Sequence, residues 1–68
     1  MNGFGKKIEE RRTKLGISQQ DLSEISGVSL RTINSIENDS CNPSIETLQK
    51  ILDPLGYVIT LAERVDNG

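Results

Sequence analysis

Apolar residues recur along this chain in separate runs at helical spacing, and residues that start or stop helices bound each run. Phe4, Ile8 and Leu15 share one face of a first helix, over about residues 3 to 15, with Arg11 and Arg12 between them and Gly16 closing it. The stretch from Gly16 to Asn38, GISQQDLSEISGVSLRTINSIEN, then holds two short helices that begin alike. In one, over about residues 18 to 26, Ser18 caps with Asp21 three residues on, and Ile17 and Leu22 are spaced as a hydrophobic staple. In the next, over about residues 29 to 37, Ser29 is the cap and Val28 and Ile33 are the staple pair.

Gly27 stands between these two helices, where a left-handed residue can stop one and turn sharply into the other. Leu22 and Ile25 are expected to face inward from the second helix, and Ile33 and Ile36 from the third. That leaves Leu30, Arg31, Asn34, Ser35 and Asn38 on the outward side. The pattern is a helix-turn-helix, and its second member is the candidate DNA reader.

Asn38 to Pro43 is a polar loop rich in breakers, after which Ser44 caps a fourth helix whose inward face is Ile45, Leu48, Ile51 and Leu52 and which ends near Asp53 and Pro54. After Gly56 the helical period is lost. Tyr57, Val58, Ile59, Thr60 and Leu61 read as a strand extending to about Glu63, with a short fifth helix as the alternative. A lone strand leaves unpaired backbone groups, so pairing with the same strand of a second copy is expected. The fold class is therefore all-α, a small helix-turn-helix domain at residues 1–56 with a C-terminal strand and tail at 57–68 that dimerises.

Length strengthens the case for a dimer. Sixty-eight residues bury only a small core, and a single Cys41 with no histidine offers neither a disulfide framework nor a metal cage. No cofactor is implied. No apolar run approaches the roughly 20 residues that span a bilayer, nor does the N-terminus read as a signal peptide, so a cytoplasmic protein without membrane contact is expected. The net charge of −2 argues against nucleic acid, but its distribution does not. Lys6, Lys7, Arg11, Arg12, Lys14 and Arg31 all precede Glu37, and Asp39, Glu46, Asp53, Glu63 and Asp66 follow it. A molecule with one basic end can still dock on phosphates, though weakly where few cations reach them.

The run RRTKLGISQQDLSEISGVSLRTINSIEN followed by NPSIETLQKI resembles the Xre and Cro/CI-type helix-turn-helix regulators over about residues 4 to 55. The tail LGYVITL is similar to that of the HipB-type antitoxins, whose terminal strands pair across a dimer. The resemblance implies a lambda-repressor-like domain of about four helices. It implies base contacts from Leu30, Arg31, Thr32 and Ser35, and phosphate contacts from Gln19, Ser29, Asn38 and, secondarily, Arg12. Arg31 fits because a guanidinium can donate two parallel hydrogen bonds to guanine, and Leu30 because it can meet a thymine methyl group. Arg12 and Glu37 match a family ion pair whose main role is to orient two helices.

Two positions depart from the family. Asp39 stands where glycine is common, in a loop without the usual cations, and Ser23 replaces an alanine. The function implied is sequence-specific binding of a palindromic double-stranded operator by a homodimeric repressor. The alternative is an antitoxin that neutralises a toxin protein and uses DNA binding to control its own operon. An enzyme finds no support, since there is no nucleophile signature, no glycine-rich phosphate loop and too little bulk for a cleft.

Overall fold

The computed structural model describes residues 4–64. Among them are α1 (Phe4–Lys14), α2 (Gln19–Ser26), α3 (Leu30–Glu37), α4 (Ile45–Leu52) and a 3-10 turn at Asp53–Leu55. Local chemistry sets these boundaries. Ser18 Oγ accepts the Asp21 N–H at 2.9 Å while the Asp21 carboxylate accepts the Ser18 N–H at 3.1 Å, a closed capping box. Ser29 and Ser44 cap α3 and α4 in the same extended conformation, accepting from the Thr32 and Thr47 N–H groups. Gly27, at φ 78°, ends α2 and turns the chain into α3. The Ser23 hydroxyl donates to the Val28 carbonyl at 2.7 Å and ties α2 to that turn.

The core is Ile8, Leu22, Val28, Ile33, Ile36, Ile51 and Leu55, with Ile17, Cys41, Leu48 and Leu52 packed against it. Both members of each staple pair therefore lie in or against it. The helix α3 rests on α1 and α2, while α4 and the 3-10 turn close over α2. Leu55, fully buried beside Pro54, lies just past the expected end of the fourth helix and is not among its expected inward residues. The tight turn after α4 aims it inward, and Arg11 Nε holds its carbonyl at 2.8 Å.

Several apolar residues of the helical faces lie outside the core, Ile25 and Ile45 against expectation. Phe4 is 51% exposed, Leu15 44%, Ile25 61% and Ile45 69%. Ile25 on α2 and Ile45 at the start of α4 overhang the core, which does not extend beneath them. Leu15 follows the last residue of α1, where Gly16 at φ 74° turns the chain away. The tail also differs. From Tyr57 to Arg64 the backbone forms neither the strand nor the alternative helix in this single chain. A strand needs a hydrogen-bonding neighbour, and no described segment supplies one. Residues 65–68 of the expected tail, and the expected start of the first helix at residue 3, lie outside the described residues. No helix among the described residues is long and apolar enough to cross a membrane.

Gly5 sets how closely α1 approaches α3. A Cβ there would sit 2.5 Å from the Ile36 carbonyl oxygen and closer still to that of Glu37. In an exposed helix Gly→Ala stabilises by about 1 kcal/mol. Here the sign should invert, because backbone meets backbone and no rotamer change relieves the contact. Gly5→Ala is expected to lower the unfolding free energy by about 3 kcal/mol in urea titration, at the upper end of overpacking costs. A stabilised variant would show that α1 does not cross α3 at this point.

Candidate nucleic-acid interface

The face opposite the core on α3 carries Leu30, Arg31, Asn34 and Asn38, all exposed, with Thr32 and Ser35 half-buried at its margins. This follows from the helical period, since Ile33 and Ile36 are drawn into the core at 0% and 2% exposure and fix the rotation of the helix. Leu30 remains 42% exposed despite its size. Ser29, also exposed, caps the helix, its hydroxyl accepting the Thr32 N–H and donating to the Thr32 hydroxyl at 2.9 Å.

Behind that face the three first helices are joined by one polar chain. Arg12 of α1 forms a bidentate pair with Glu37 at the end of α3, Nε to Oε2 at 2.7 Å and Nη2 to Oε1 at 3.1 Å. Its Nη1 donates to the Ile17 carbonyl at 2.8 Å, just before α2. The side chains are 12% and 4% exposed, so the pair is nearly dry. The hydrogen bond to Glu37 raises the Arg12 pKa above its ordinary value, against the opposing effect of burial. Stability from a raised cation pKa is complete below the ordinary value and is lost only as pH climbs past the raised one, so Arg12 stays charged through the working range.

Gln19, the first residue of α2, joins this pair. Its Nε2 donates to Glu37 Oε1 at 2.9 Å, and its Oε1 faces Asn34 Nδ2 at 3.4 Å. Asn38 Nδ2 then donates to Asn34 Oδ1 at 3.0 Å. The N-terminus of α2 and the outer stripe of α3 are thus adjacent, and the first-turn N–H groups of a helix carry positive potential suited to an anion. The sequence places Arg12 with Glu37 only through family resemblance, and the attachment of Gln19 and Asn34 to them is a product of the fold. Asp39, at φ 55°, is the non-glycine residue with left-handed backbone among the described residues. Its Oδ1 accepts the Gly5 N–H at 3.2 Å, so the departure from glycine supplies a cap for α1.

The other cations of α1 lie elsewhere. Lys7, Arg11 and Lys14 line a depression with Glu10 and Tyr57, and the Arg11 guanidinium sits 5.4 Å from the Tyr57 ring centroid. On the outward face of α3 Arg31 supplies the exposed positive charge.

The Helix-turn-helix family profile matches residues 8–63. The chain belongs to the helix-turn-helix family. It is 43% identical over 64 residues to an uncharacterized HTH-type transcriptional regulator of Haemophilus influenzae, covering 93% of this chain and 65% of that protein. It is 42% identical over 56 residues to the HTH-type transcriptional regulator PuuR of Escherichia coli, covering 82% of this chain and 30% of PuuR. An HTH-type transcriptional regulatory protein of Methanocaldococcus jannaschii is 42% identical over 67 residues, covering 93% of this chain and 21% of that protein. The chain thus spans less than two thirds of these relatives, and no solved structure matches it significantly. The matched segment includes α2, the Gly27 turn and α3.

Truncating Arg12 would leave the Glu37 carboxylate buried without its counter-charge. Arg12→Ala is expected to cost about 3 to 5 kcal/mol in chemical denaturation, and replacing both partners by apolar residues of similar bulk to recover most of that loss. A cost below about 1 kcal/mol for Arg12→Ala would mean that the pair is open to water.

Proposed function

We propose that this chain binds double-stranded DNA sequence-specifically in the cytoplasm, as a homodimeric transcriptional repressor, with α3 of each subunit in the major groove of a palindromic operator. The half-sites would lie about 34 Å apart, one turn of duplex. The observation that carries this reading is the adjacency of two surfaces, the exposed stripe of α3 and the N-terminus of α2, joined through Gln19 and Asn34. A duplex presents base edges and phosphates side by side in the same way, and a reading helix needs both.

Leu30, Arg31, Thr32 and Ser35 take the base-facing roles, with Arg31 donating to guanine. Gln19, Ser29 and Asn38 take the phosphate-facing ones. Arg12, with its guanidinium already bonded to Glu37 and Ile17, acts on phosphate mainly by holding Gln19 in place through Glu37. Dimerisation through the tail is supported by Val58 and Leu61, 80% and 98% exposed, which a second copy would cover.

Selection from a random duplex library at moderate salt is expected to yield a palindrome. Arg31→Ala should lose preference at one base pair in each half-site by about 1 to 3 kcal/mol while still binding. Failure of the native protein to enrich any duplex would overturn the reading and redirect the search to a protein partner. Truncation after Gly56 should give a monomer by sedimentation, and a truncated chain that remains dimeric would remove the tail from the interface.

A further inference from the structure

The polar chain across α1, α2 and α3 has a direction. Arg12 can only donate, and the Glu37 carboxylate paired with it can only accept. The group that Gln19 turns toward Glu37 must therefore be its amide nitrogen, at 2.9 Å, which leaves Gln19 Oε1 facing Asn34. Asn34 must then present its own nitrogen, and its Oδ1 is left to accept from Asn38 at 3.0 Å. Each carboxamide could be turned over in isolation, but only one orientation satisfies all of its neighbours here. The buried ion pair thereby sets the polarity of three side chains on or beside the exposed face.

An amide nitrogen carries two hydrogens. Gln19 bonds one of them to Glu37 and keeps the second, and the plane in which that second N–H lies depends on what holds the other end of the carboxamide. One bond, to Glu37, leaves the group free to swing about it. The second, from Asn34, fixes the plane. At 3.4 Å that contact is longer than the usual N–H···O distance, so its effect is on direction more than on strength.

We propose that Asn34 is a positioning residue for a DNA phosphate contact: from the exposed stripe of α3 it holds the Gln19 carboxamide with its second N–H turned to a phosphate oxygen, so that the grip on the backbone moves with the reading helix. The inference rests on the DNA-binding reading above. It gives Asn34 a role distinct from base contact and from stability, since the residue is exposed and its truncation removes nothing from the core.

The test uses the selected operator with single phosphates replaced, one at a time, by neutral methylphosphonates, and compares the native protein with Asn34→Ala, Gln19→Ala and the double variant. The native protein should lose about fivefold in affinity at the phosphate opposite Gln19, the worth of one hydrogen bond. Both single variants and the double should be insensitive to replacement at that phosphate, while the base preference due to Arg31 stays near native in all three and the melting temperature stays near native in Asn34→Ala. If Asn34→Ala keeps the native loss at the phosphate where Gln19→Ala abolishes it, or if no phosphate behaves in this way, the inference is overturned and the DNA reading stands. A native protein that selects no duplex overturns both.

Discussion

The part-buried ion pair between Arg12 and Glu37 is the constraint on which the rest of the arrangement depends. Two charges removed from water must satisfy one another and their remaining hydrogen-bonding capacity, or the fold loses several kcal/mol. Arg12 meets that requirement by reaching three places at once: the end of α3, the residue before α2, and, through the shared carboxylate, the first side chain of α2. Few relative placements of three helices allow all of these bonds, so the pair acts on specificity of packing more than on its strength.

The same crossing is secured by contacts of other kinds. Gly5 lets the α1 backbone lie against the last turn of α3, and Asp39, just beyond α3, returns to cap α1. One contact is steric, one is a neutral-to-charged hydrogen bond and one is an ion pair, and together they join both the first turn of α1, at Gly5, and its last turn, at Arg12, to the C-terminal end of α3. The exposed stripe of α3 is thereby held rigidly although no apolar residue on it is buried.

Charge is arranged locally rather than globally. The chain is net acidic, and Lys7, Arg11 and Lys14 gather near Tyr57 instead of joining Arg31 on α3. A face with few cations gains little from counterion release, so neutral amides and helix N-terminal N–H groups must carry more of any grip on a phosphate backbone. The directed row of Gln19, Asn34 and Asn38 suits that need. Its polarity originates in a buried charge instead of an exposed one.

The sequence alone determined the helices, their caps and the turn between α2 and α3, because serine caps, staple pairs and a left-handed glycine act within a few residues and their chemistry is written at fixed spacing. It also determined the outward stripe of α3, since Ile33 and Ile36 can face only one way. Tertiary structure decided what no spacing carries. Which end of α1 meets α3, why Gly5 must be glycine and what Asp39 bonds to depend on residues more than thirty positions apart. The inward assignments of Ile25 and Ile45 failed for a related reason: helical period gives a face, but the extent of the core beneath that face is set by the neighbouring helices. The joining of Gln19 and Asn34 to the ion pair is of the same kind, because hydrogen bonds between exposed amides have no sequence signature until the helices that carry them are docked.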